Sequence, residues 1–163
     1  DLDDALKDGR RPLRHQRSGV RWLLARRGAV LADEMGLGKT LTALLAARAL
    51  MRCAEVRLLV VAPVGLHPHW RRESEALGVE LELVSWARLP DTLPPAGTLL
   101  VVDEAHYAQS LQAQRTAALL RLAPGHYRNG VVLSPASSRL LCDLMLDRTP
   151  IVDPLPYQPR NTL

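Results

Sequence analysis

One stretch restricts the fold of this chain more than any other: Asp33-Glu34-Met35-Gly36-Leu37-Gly38-Lys39-Thr40. The apolar run Gly28-Ala29-Val30-Leu31-Ala32 leads into it, and the Ala/Leu-rich run Leu41 to Leu50 leads out. Strand, glycine loop and helix in that order point backbone N–H groups and a helix N-terminus at an anion such as a triphosphate. Gly36 and Gly38 let the main chain approach phosphates without a Cβ in the way. Lys39 is placed to reach the β- and γ-phosphates, and the Thr40 hydroxyl to sit on Mg²⁺. Asp33 stands where the general pattern G-x-x-x-x-G-K-[ST] has its first glycine, so the match is incomplete. A glycine turn that only caps a core helix would have no use for the Lys-Thr pair.

A second motif is acidic. Thr98-Leu99-Leu100-Val101-Val102 is a continuous apolar, β-branched run, expected to be a fully buried parallel strand, and it ends in Asp103-Glu104-Ala105-His106. A carboxylate at a strand tip beside a phosphate loop is placed to hold Mg²⁺, usually through water. Glu104 can then orient and deprotonate the attacking water, and His106 can link the site to its neighbours. Lys39, Asp103 and Glu104 are thus the expected catalytic set, and Thr40 and Asp103 the expected Mg²⁺ ligands. An Asp-Glu pair also suits the first turn of any helix. The phosphate loop upstream is what favours the catalytic reading.

Strands are expected at about 28–32, 57–62, 80–84, 98–102 and 130–134. Helices are expected over Leu13 to Arg26 and at about 39–51, 66–77, 110–122 and 138–146. This alternation predicts an α/β fold, a mostly parallel sheet with helices on both faces. Right-handed crossovers bring residues 33–40 and 103–106 to one sheet edge, where ligands bind in such folds.

Together the motifs DEMGLGKT (33–40) and DEAH (103–106) resemble the Snf-type (Swi/Snf-like) DNA-dependent ATPases of helicase superfamily two. An Asp at the start of the phosphate loop is what that family shows. Pro12 to Leu23 is similar to its adenine-reading segment, which implies that Gln16 pairs with the adenine edge of ATP. Val60 to Leu66, continuing through Trp70-Arg71-Arg72-Glu73, resembles its motif on the tracking DNA strand, and Val84 to Leu89, more weakly, the next DNA-side motif. The resemblance covers about residues 11 to 123. It implies a RecA-like N-terminal lobe, ATP and Mg²⁺ as cofactors, duplex DNA as partner, and a second RecA-like lobe in the parent protein supplying arginines. Pro63, Arg71, Arg72 and Ser85 are the implied DNA contacts. This chain stops before such a second lobe, so weak nucleotide binding and very slow hydrolysis are expected of it alone.

The resemblance fails after about Arg128. The family ends its next strand in a Ser/Thr-Gly/Ala-Thr-Pro coupling motif. Here Val131-Val132-Leu133 is followed by Ser134-Pro135-Ala136-Ser137-Ser138, and only Ser134 can stand in. Two units are therefore expected: the ATPase lobe over 1–128, and a divergent end with a Pro-rich tail over 129–163. Natural divergence and a shifted or fused reading frame both account for the change.

Other residues carry blander readings. Gln16 suits the exposed face of an amphipathic helix equally well, and Trp22 and Leu23 read as core. Trp70 suits either packing or a surface role. Arg71 and Arg72 could simply pair with Glu73 and Glu75 on a solvated face. His67 and His69 lack further ligands at zinc spacing, and Cys53 and Cys142 read as reduced, partly buried thiols. The hydrophobic share of 47% and charged share of 23% are those of a globular domain, and the net charge of +4 permits nucleic-acid binding without demonstrating it. No run is long enough to span a membrane, and the acidic start Asp1-Leu2-Asp3-Asp4 has no export-signal character. A cytoplasmic, nucleoid or nuclear protein is expected. A degenerate lobe that binds DNA or a partner without catalysis, and a phosphate-loop ATPase outside the helicases, are the competing functions.

Overall fold

The computed structural model describes residues 6–26, 28–31, 33, 36–90, 95, 97–105, 114 and 119, and the backbone of 130–133. In chain order the elements are α1 (Arg14–Leu24), β1 (Gly28–Leu31), α2 (Lys39–Met51), β2 (Arg57–Ala62), a short 3₁₀ turn at Val64–Leu66, α3 (His67–Leu77), β3 (Glu82–Ser85), β4 (Thr98–Asp103) and β5 (Gly130–Leu133). Most fall where periodicity places them, within a residue or two. β3 starts at Glu82, two residues after the expected 80. Its register on β2, Leu59 opposite Glu82 through Ala62 opposite Ser85, fixes that start. Val79 instead closes α3, its N–H donating to the Ser74 carbonyl. Of the two helices expected further on, 138–146 lies outside the described residues. Within 110–122 only Gln114 and Leu119 are described, and both are helical.

All five strands are parallel, in the order β1-β5-β4-β2-β3. Every residue of β4 is buried, as is β2 from Leu58 onward, which explains their unbroken apolar sequences. Alternate residues then serve two cores. On one face Leu58, Val60, Ala62, Leu99 and Val101 meet Val20 and Leu23 of α1, Leu44 of α2, and Trp70 and Leu77 of α3. On the other, Leu59, Val61, Leu100 and Val102 meet Trp86, Ala105 and helical Leu119. α2 lies between α1 and α3 against the sheet and is buried continuously from Leu41 to Ala47. A helix so enclosed has no polar face, hence the apolar run from Leu41 to Ala47, broken only by Thr42.

Three expectations about single residues are corrected. In α1 the inward positions are Gln16, Val20 and Leu23. Their helical spacing turns Trp22 outward, where it is 39% exposed beneath the Arg26 guanidinium at 4.1 Å. Cys53 lies in the turn after α2 and is exposed rather than partly buried. Glu73 does not pair with its neighbouring arginines. It is buried, and Arg10 grips it with two N–H groups, at 2.9 and 3.3 Å.

Candidate functional site

Backbone register assembles the site. Leu133 of β5 pairs with Leu31 on one side and with Asp103 on the other, so these three residues form one row across the sheet. Two strand spacings separate the ends of that row, about 10 Å. The loop that follows Leu31 therefore opens on the same carboxyl edge as Asp103. Val61 pairs with Val102, and the next residue, Ala62, pairs with Ser85. That extends the row, so Pro63 and the end of β3 share the edge as well.

In the glycine loop after β1, Gly36 and Gly38 have φ of +86° and +75°, the left-handed region where a Cβ is strained. Gly38 is also the N-cap of α2, and its carbonyl accepts from the Thr42 N–H at 3.0 Å and the Thr42 hydroxyl at 3.2 Å. Lys39 Nζ donates to the Asp33 carbonyl at 2.8 Å, which folds the side chain back along its own loop. Thr40, half-buried, follows in the first turn of the helix. Gln16 is buried, not on the exposed face of α1. Its Oε1 accepts from the Leu13 N–H at 2.9 Å, and its Nε2 donates to the Leu37 carbonyl at 3.3 Å. Among the described residues one lone pair and one N–H remain, the complement an adenine edge requires. His15 Nε2 meets the same Leu37 carbonyl at 3.1 Å. α1 is thus tied directly to the glycine loop.

The acidic half is built differently. Asp103 Oδ2 accepts from Trp70 Nε1 at 2.9 Å, and Oδ1 from the Glu104 N–H at 2.9 Å. The Asp103 carbonyl accepts from Trp86 Nε1 at 3.1 Å. Burial holds the carboxyl above the usual carboxylate range, and the Glu104 charge adds to the rise. The Trp70 and Glu104 N–H groups and the Lys39 charge pull the other way. Glu104 has φ +53°, a left-handed residue with a side chain, a conformation concentrated at functional sites. Among the described residues each Asp103 oxygen accepts one hydrogen bond, which leaves one acceptor direction on each. That suits Mg²⁺ held through water alongside the Thr40 hydroxyl and substrate phosphates.

Of the expected DNA contacts, Pro63 and Ser85 are half-buried at the carboxyl edge and Arg71 and Arg72 are exposed on α3. Arg72 Nη2 lies 3.0 Å from His69 Nδ1, and His67 Nε2 lies 3.2 Å from the Ala62 carbonyl. His106 and Ser134, the expected coupling residues, lie outside the described residues. What residue-by-residue reading missed is the pair of indoles on Asp103. The available signal was their placement, Trp70 beside Arg71 and Trp86 beside Ser85, both near expected edge segments.

Residues 15–87 match the family model of the SNF2-related domain. The ATP-dependent helicase ULS1 of Saccharomyces cerevisiae is 45% identical over 74 residues, which cover 39% of this chain and 4% of that protein. A glycine oxidase of Pseudomonas aeruginosa is 64% identical over 44 residues, 27% of this chain and 12% of that protein. The chain thus spans a small part of the length of either relative. Among solved structures, the SWI2/SNF2 ATPase core of Sulfolobus solfataricus, in complex with dsDNA, superposes with a TM-score of 0.67 at 18% identity. That match covers 90% of this chain and 37% of that one, and it shows a shared fold. Its motifs, its parallel sheet and the match over residues 15–87 agree: that segment is similar to the SNF2-related domain, and the chain shares the RecA-like fold of the SWI2/SNF2 ATPase core.

Proposed function

We propose that the chain is the N-terminal ATP-binding lobe of a DNA-dependent ATPase that translocates on duplex DNA. The row Leu31–Leu133–Asp103 carries this reading, because it sets the Lys39 loop and the acid on one edge. Backbone N–H groups at Gly36 and Gly38 and the Lys39 ammonium bind the phosphates, and Gln16 reads the adenine. Thr40 and Asp103 would hold Mg²⁺, which when bound would neutralise phosphate charge. Glu104 takes the proton of the attacking water, and His106 and Ser134 relay the state of the site. Pro63, Ser85, Arg71 and Arg72 contact the DNA backbone. A second RecA-like lobe supplies the transition-state arginine, worth roughly 10³ to 10⁵ in rate for related phosphoryl transfers, so hydrolysis by this chain alone is very slow. The protein works where the DNA is, in the cytoplasm, nucleoid or nucleus. No described helix is long and apolar enough to cross a membrane.

The domain reading is part of the proposal: 1–128 is the lobe proper, and 129–163 a divergent end whose strand Gly130–Leu133 completes the sheet. The likeness to a glycine oxidase is high in identity but short, 44 residues. At 12% of the oxidase it supports no oxidase activity. Calorimetry with Mg²⁺-ATP on wild type and Lys39→Ala tests the nucleotide site. Saturable binding lost in the variant is expected. Equal binding by both would overturn the reading, and no binding by a folded wild type would favour a degenerate module that contacts DNA without catalysis.

A further inference from the structure

We infer that Trp70 and Trp86 are positioning residues that orient Asp103 and transmit to it the state of the DNA-facing segments, an inference that rests on the nucleotide-site reading above. An indole N–H only donates, and once buried it must find an acceptor. Trp70 is 0% exposed and Trp86 7% exposed. They reach Asp103 from opposite faces of the sheet, Trp70 from the core beneath α3 and Trp86 from the core on the far side. One fastens the carboxylate at Oδ2 and the other the backbone carbonyl, so side chain and main chain of the same residue are both fixed. The bond to Oδ2 is charge-assisted and the stronger of the two.

Sequence proximity supplies the transmission. Trp70 directly precedes exposed Arg71 and Arg72, and Trp86 directly follows Ser85 at the end of β3. An indole is rigid beyond two side-chain torsions. A tilt of α3, or a shift of the turn after β3, as DNA engages either segment therefore displaces an N–H from Asp103. The carboxylate that holds Mg²⁺ is moved without any contact between DNA and nucleotide. Two tryptophans that merely filled the core would pack as well against any residue at position 103.

The test uses the full chain labelled with ¹⁵N, whose three tryptophans give three indole N–H resonances, assigned through Trp22→Phe, Trp70→Phe and Trp86→Phe. Asp103→Asn is expected to shift the Trp70 resonance strongly and to leave Trp22 in place. Mg²⁺-ADP, and separately a short DNA duplex, are each expected to shift Trp70 and Trp86. In calorimetry Trp70→Phe is expected to weaken ADP binding about tenfold with Mg²⁺ and less than about twofold in EDTA, from the loss of one charge-assisted hydrogen bond. Equal weakening in both conditions, or a Trp70 resonance unmoved by Asp103→Asn, overturns the inference. Should Trp70→Phe fail to fold, the resonance comparison between wild type and Asp103→Asn decides alone. Failure of the underlying reading shows elsewhere: Lys39→Ala would bind nucleotide like wild type, and the inference would fall with it.

Discussion

Beside the edge strand β1, Lys39 rests on a backbone carbonyl of its own loop, 2.8 Å from Asp33; at the tip of the central strand β4, Asp103 is fastened to two buried indoles. The first arrangement depends on main-chain conformation, with glycines at positive φ and a flexible cation that can leave one acceptor for another. The second depends on packing, a rigid acid wedged between two aromatic side chains. The difference teaches where each half is vulnerable. Losing a side chain's bulk should damage the acidic end, while adding a single Cβ should damage the phosphate loop.

The largest effect should come from Trp70→Ala. It removes a fully buried indole and leaves the Asp103 carboxylate without that donor. Truncations of this size in a core cost about 3–5 kcal/mol, and an orphaned buried acceptor adds to that. Urea unfolding followed by circular dichroism should show it, or show the variant already unfolded. Trp22→Ala is the control: 39% exposed, it should cost below about 1 kcal/mol. Similar losses in the two variants would break the distinction between a packed end and a conformational one.

Next comes the loop. Gly38→Ala places a Cβ against Gln16 Nε2 at a residue with φ +75°. Gly36→Ala meets no neighbour and strains only φ, at +86°. Left-handed strain alone costs about 1–2 kcal/mol. Gly38→Ala should therefore be the more destabilised of the two and should also lose the tie between α1 and the loop. Differential scanning calorimetry ranks the pair, and equal melting points would mean that Gln16 yields without resistance.

Much of this was legible in the chain itself, for a physical reason. Buried parallel strands such as 57–62 and 98–103 are apolar on both faces, and the loop chemistry of Gly36, Gly38, Lys39 and Thr40 is local, so both leave compact signatures. The start of β3, two residues past the expected 80, is set by pairing with β2, a long-range fact. Trp22 was misassigned because an aromatic beside a buried leucine looks like core until the phase of Gln16, Val20 and Leu23 is fixed. The Trp70 and Trp86 bonds to Asp103 join residues 33 and 17 positions apart in sequence, and no local pattern encodes them.

A pH series sharpens the comparison at the acidic end. Burial raises the folded-state Asp103 above the ordinary value of 3.8. Between that value and the folded one, the native state holds a proton that the unfolded chain has released. The stability Asp103 contributes is thus complete below 3.8 and is lost as pH rises through the folded value. Asp103→Asn does not titrate there, so relative to wild type it should gain stability as pH rises through that window. Urea midpoints of both proteins from about pH 3.5 to 7.5 measure the gap. A gap that shrinks with rising pH would mean that the indole and Glu104 N–H groups outweigh desolvation.

The smallest effect on stability belongs to the arginines that lie past Trp70. Arg71 and Arg72 are exposed, and the buried acid next to them, Glu73, is already held by Arg10. Arg72 has a single polar partner, His69, at an exposed position. The double variant Arg71→Ala/Arg72→Ala should therefore move the unfolding free energy by no more than about 0.5 kcal/mol. Its effect should appear in binding instead. Each lost phosphate contact lowers the slope of log affinity against log salt by about 0.9, so two contacts lower it by about 2. Arg10→Ala should do the opposite, uncovering the Glu73 carboxylate at a cost of about 1–3 kcal/mol with the salt slope unchanged. Titrating a fluorescent duplex across a salt series with both variants separates the roles. A slope unchanged in the double variant would leave α3 as scaffold alone and shift the DNA-facing surface toward Pro63 and Ser85. A slope that falls while stability holds would mark α3 as an element with two tasks, its buried Trp70 facing the acid and its exposed arginines facing phosphate.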